Sequence, residues 1–62
     1  MTLAEDIAYL QRLAERAEDG KNIYRFQRDN AYMIRLRLQR TNGPQEYIAL
    51  AEALEHGKLP NY

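Results

Sequence analysis

At 62 residues, 45% of them hydrophobic and 29% charged, the chain is one very small domain. Its core can hold about a dozen side chains, so its stability alone is marginal. The absence of Cys and the single His exclude a disulfide scaffold, a Cys-based zinc site and a His-pair metal site. Nine Lys plus Arg balance nine Asp plus Glu, which argues against a general nucleic-acid coat or a polybasic membrane anchor. No apolar run approaches the roughly 20 residues that cross a bilayer, and Glu5 and Asp6 stand where a signal peptide would be basic. A soluble intracellular protein is the expectation.

The balanced total conceals a segregation of charge. Residues 1–20 carry two cations and five anions, residues 21–41 six and one, and residues 42–62 one and three. Either a basic middle element packs across two acidic ones, or the middle forms an anion site.

Thr2 to Asp19 reads as a helix. Thr2 with Glu5 makes a capping box, Glu5 and Asp6 suit the positive end of the helix dipole, and Gly20 can end the helix. Leu3, Ile7, Leu10, Ala14 and Ala17 recur at helical spacing on one stripe, with Leu13 beside it.

The middle, Lys21 to Arg40, decides the fold. As a helix it would gather Ile23, Phe26, Ala31, Ile34 and Leu38 on a broad face, but Arg37 falls among them and Tyr32 and Leu36 point away. As a strand, Tyr32, Ile34, Leu36 and Leu38 alternate with Arg35, Arg37 and Gln39. A three-residue loop, Asp29 to Ala31, then pairs Phe26 with Ile34 and Tyr24 with Leu36, which puts the large apolar groups on one face. The competing arrangement is an all-helical hairpin or three-helix bundle, favoured by the absence of Val and the abundance of helix formers.

Pro44 to His56 reads as a second helix, capped by Asn42 or Gly43 with Pro44 in its first turn and Gly57 past its end. Tyr47, Leu50, Ala51 and Leu54 make its apolar face, with Ile48 at the edge, and His56 suits the negative end of the dipole. The expected domain is therefore α+β over residues 1–57: helix, β-hairpin, helix, with two antiparallel helices packed on a two-stranded antiparallel hairpin. Residues 58–62 form a flexible C-terminal tail in this reading.

This order resembles the gpW family of small head-to-tail joining proteins of lambda-like phages. The likeness is carried by Met1-Thr2 with an acidic residue soon after, Gly20-Lys21, Gln27-Arg28-Asp29 entering the hairpin turn, and Tyr47-Ile48-Ala49. The tail departs from the lambda pattern, being shorter and much less basic. The resemblance implies a noncatalytic structural protein of the virion at the head-tail junction, assembled in the host cytoplasm. It would form a homo-oligomeric ring of twelve copies beneath the portal protein after DNA packaging and offer a docking surface to the next neck, stopper or tail protein. No cofactor, metal or membrane enters this role. Arg25, Arg35 and Arg37, on the hairpin face away from the core, would meet a neighbouring subunit or the packaged DNA passing through the ring, or would be an ordinary solvated strand face. Leu59, Pro60 and Tyr62 in the tail would anchor in the portal or neck partner, or Tyr62 would fold back on its own domain.

Enzymatic readings find little purchase. The chain has no Ser, no Cys and one His, so nucleophilic triads are excluded, and Glu46, Glu52 and Glu55 read as a solvated helix face. The alternative function belongs to the helical reading of the middle. There Arg25, Arg28, Tyr32 and Arg35 form one stripe able to hold phosphates and stack bases, as in a small helical interaction module or inhibitor that binds a nucleotide, a nucleic acid or a partner protein. Circular dichroism separates the two: a mixed helix and strand spectrum supports the joining protein, and a nearly all-helical one supports the helical module.

Overall fold

The computed structural model describes residues 2–18 and 23–57. They form three helices, α1 Leu3–Glu18, α2 Arg25–Arg40 and α3 Gln45–Glu55, and no strand occurs among the described residues. The first helix starts as its sequence dictates. The Glu5 amide donates to Thr2 Oγ1 at 3.2 Å while the Thr2 amide donates back to Glu5 Oε1 at 3.1 Å, a reciprocal cap. These bonds from the Thr2 backbone and hydroxyl hold the Glu5 carboxyl below the usual carboxylate range. Gly20, expected to end the helix, lies outside the described residues, as does the tail with Leu59, Pro60 and Tyr62.

The expected hairpin is a single helix, so the α+β arrangement gives way to an all-α one. Ala31, assigned to the hairpin loop, is wholly buried in the middle of α2, and Ile34 and Leu38 join it in the core. Phe26 and Tyr24, assigned to the hairpin's inner face, are exposed. The reason is physical: Arg25–Arg40 contains one β-branched residue, Ile34, amid Arg, Gln, Met, Leu and Ala, and that composition strongly favours helix. Alternation at Tyr32, Ile34, Leu36 and Leu38 is equally compatible with a helix that buries only the second and fourth. At its N-terminus, the Tyr24 amide donates to Gln27 Oε1 at 2.9 Å, which gives buried Gln27 its partner.

The turn into α3 is a Schellman motif. Gly43 N donates to Leu38 O at 2.7 Å and Asn42 N to Gln39 O at 3.4 Å, with Asn42 in the left-handed region at φ 54°. Pro44 stands at the N-cap of α3, one position before the first turn expected for it. At the far end Gly57 takes φ 73° and donates to Leu54 O, as the sequence foretold for a glycine past the helix.

Each helix closes one side of a shared core of Leu10, Leu13, Ile23, Ala31, Ile34, Leu38, Ile48, Leu50, Ala51 and Leu54. The packing is uneven. Helices α2 and α3 form the most intimate pair, α1 leans on α3, and α1 meets α2 least. A Cβ built on Gly43 would lie 2.8 Å from Leu38 Cδ2 and 3.3 Å from its carbonyl oxygen, and Leu38 is held in the core. Gly43→Ala should therefore lower stability by about 1–3 kcal/mol through overpacking at the α2–α3 turn. Urea unfolding followed by circular dichroism would check this, the midpoint falling without a change of slope.

Candidate functional site

Helix α2 has two flanks, and they are occupied differently. The flank toward α3 carries Arg28 and Arg35 of the Arg/Tyr stripe. Arg35 Nε donates to Glu55 Oε2 at 2.6 Å and Nη2 donates to Oε1 at 3.3 Å, a two-point ion pair with both side chains largely buried. The same guanidinium lies 5.2 Å from the centre of the Tyr32 ring. Its pKa is raised, first by the hydrogen bond to Glu55. Arg28 Nε donates to Ile23 O at 3.3 Å, and its guanidinium lies beside Gly57 at the negative end of α3. Of the stripe's four members, Arg25, Arg28 and Tyr32 keep open surface, and Arg25 has no ion-pair partner among the described residues.

The flank toward α1 is built differently. Asp6, buried on α1, accepts from Arg37 Nη2 at 2.9 Å and from Arg37 Nε at 3.1 Å. That pairing explains why an arginine stands among the apolar positions of α2. The hydrogen bond to Asp6 is also the first cause of the raised pKa of Arg37. One helical turn along α1, Tyr9 Oη accepts from Asn30 Nδ2 at 3.0 Å. These polar bridges join α1 and α2, which run antiparallel. Between them opens a groove of about 220 Å³ lined by Tyr9, Asn30, Met33, Ile34 and Arg37.

Two large apolar side chains stand on this flank with half or more of their surface in water. Phe26 is 63% exposed and Met33 50%. With Asn30 and Arg37 they recur at i, i+4, i+7 and i+11, so all four share one face of α2. The Phe26 ring lies parallel to that of Tyr24, also exposed, with centroids 6.0 Å apart. Sequence reasoning missed this surface because the hairpin placed Phe26 inside. The usable signal was the seven-residue spacing of Phe26 and Met33 around a face distinct from Ala31, Ile34 and Leu38.

The expected basic face of Arg25, Arg35 and Arg37 does not form as one surface. Arg35 is turned to α3 and Arg37 to α1, and Arg25 alone is directed to solvent, because a helix separates residues that a strand would align. Among the described residues no three His, Asp or Glu side chains converge as metal ligands. No helix there is long and apolar enough to cross a membrane. Comparison with protein-family models, with curated proteins and with solved structures finds no match.

The division of the three arginines is measurable. Arg35→Gln and Arg37→Gln should each lower stability by about 1–3 kcal/mol, since each leaves a largely buried carboxylate without its charged donors. Arg25→Gln should change it by less than about 0.5 kcal/mol. Chemical denaturation of the three variants would check this, and equal effects would refute the division.

Proposed function

We propose that the chain is a noncatalytic helical interaction module that binds another protein in the groove between α1 and α2. The observation that carries this reading is the exposure of Phe26 and Met33 beside that groove. A domain with so few core side chains leaves two of its largest apolar groups in water, on the flank of α2 toward α1, the helix it packs against least. Aromatic residues, Met and Arg are the types enriched at protein interfaces, and a rigid aromatic beside a groove is a typical anchor.

The nucleotide or nucleic-acid version of the module draws on the Arg25, Arg28, Tyr32 and Arg35 stripe. Arg35 is already clamped on Glu55 and Arg28 spends its Nε on Ile23 O, which leaves that version less to work with. The ring-forming adaptor role beneath a portal took its geometry from a hairpin, and the residues assigned to that hairpin are helical. No observation on the molecule favours it over the module.

The reading is tested by installing a photo-crosslinking residue in place of Met33, and separately in place of Glu52 on α3, in cells that make the protein. A discrete protein adduct should form from position 33 and not from position 52. Adding Phe26→Glu should abolish it while leaving the circular dichroism spectrum unchanged and stability within about 0.5 kcal/mol. An adduct that survives Phe26→Glu, or one to nucleic acid, would overturn the proposal. So would collapse of the fold on Phe26→Glu, which would make Phe26 part of the core.

A further inference from the structure

The side of α2 turned away from the core has the spacing of a helix-pairing seam. Phe26, Asp29, Met33, Leu36 and Arg40 stand at i, i+3, i+7, i+10 and i+14, on the face opposite the buried Ala31, Ile34 and Leu38. Phe26 and Met33 are exposed and Leu36 is half-buried. Asp29 and Arg40 are exposed and have no ion-pair partner among the described residues. The other charges of α2 lie to the sides of this seam. Arg37 is bound to Asp6 on the flank toward α1, while on the flank toward α3 Arg35 is bound to Glu55 and Arg28 donates to Ile23 O. Arg25 stands at the edge of the outer face, one turn before Asp29.

Between Asp29 and Arg40 the seam reads anion, Met, Leu, cation, and reversing that order gives its own complement. A second α2 laid antiparallel, with a two-fold axis between Ile34 and Arg35, brings Asp29 of each copy to Arg40 of the other and Met33 of each to Leu36 of the other. Phe26 then reaches the turn that follows Arg40 of the other copy. Arg25 falls opposite residues 41–44 of that copy, a stretch without charge. Parallel pairing instead sets Asp29 against Asp29 and Arg40 against Arg40, like charge on like.

We propose that the outer face of α2 takes a second copy of this chain, forming a two-fold dimer through antiparallel α2 helices. Charge order carries the inference: the face holds one unpartnered anion and one unpartnered cation, placed so that only the antiparallel arrangement neutralises both. The inference goes beyond the interaction-module reading and does not depend on it. Because both surfaces use Phe26 and Met33, a second copy and a partner protein exclude one another, so the dimer keeps these side chains covered until a partner displaces it. From Phe26 to Arg40 the seam is about 21 Å long. A single helix pair of that length covers less than the roughly 800 Å² per partner of a standard interface, so the dimer is weak, with a Kd of about 100 μM.

The test is sedimentation equilibrium of the full chain from about 10 μM to about 1 mM. The average mass should rise from 7.3 kDa toward twice that value. Asp29→Arg and Arg40→Asp each set like charges together at both ends of the seam, and each should weaken dimerisation about tenfold or more. The double variant Asp29→Arg/Arg40→Asp should restore it, since the swap recreates both opposite-charge contacts. Both side chains are exposed and unpaired in the single copy, so the helical circular dichroism spectrum should not change in any of the three. A mass that stays at 7.3 kDa throughout, or that climbs past the dimer, would overturn the inference. So would a dimer indifferent to the single substitutions, or one that the double swap fails to restore. None of these outcomes bears on the module reading, which is tested by adducts to a different protein in cells.

Discussion

Helix α1 is tied to α2 by a buried charge as well as by the core they share. Asp6 is buried, and a buried carboxylate must be neutralised or satisfied by donors. Arg37 supplies two of them from α2, with its own side chain remaining 37% exposed and so partly hydrated. This bridge fixes the approach of the two helices, and the Tyr9–Asn30 hydrogen bond repeats the device one turn away. The opening over Ile34 lies beside these two bridges, with Tyr9, Asn30 and Arg37 among its walls.

The other flank of α2 shows what a closed interface looks like in the same molecule. There Arg35 is clamped on Glu55 and lies against Tyr32, Arg28 lies beside the end of α3, and Leu38 is packed beneath the Gly43 turn. A basic helix can sit between two acidic ones because each neighbour takes up part of its charge, Asp6 from α1 and Glu55 from α3. The acidic, basic, acidic order of the sequence is the outward sign of this arrangement. What the neighbours do not take up on α2, at Arg25 and Arg40, stays exposed, as do Arg12 and Arg16 on α1.

The two outer helices were legible because they carry explicit punctuation: Thr2 with Glu5 at one start, Asn42 to Pro44 at the other, and Gly57 after the last turn. Of their apolar positions Leu10, Leu13, Leu50, Ala51 and Leu54 are buried, whereas Leu3 is exposed, Ile7, Ala14, Ala17 and Tyr47 are half-buried, and Ile48, expected at the edge, lies in the core. Helix α2 was not legible for two reasons. Its start has no Ser, Thr, Asp or Asn at the cap, and its arginine at an apolar position makes sense only once Asp6 is seen to be buried beside it. A tertiary ion pair between residues 31 apart leaves no local signature. The groove was hidden for the same reason, since Phe26 and Met33 become a surface feature only after the helix is known.

Uneven packing also has a kinetic side. The Schellman turn brings α2 and α3 together across four residues of chain, so their contacts close short loops, whereas α1 packs chiefly on α3, from which the whole of α2 separates it in sequence. The molecule is then a helical hairpin with a third helix docked on it through few apolar contacts on the α2 side. Such a helix belongs to the least protected cooperative unit of a small domain. Amide protons of α1 will exchange with solvent ahead of those of α2 and α3. Each opening of that kind uncovers Ile34 along its whole length, so the cavity between α1 and α2 is also the seam along which the fold comes apart.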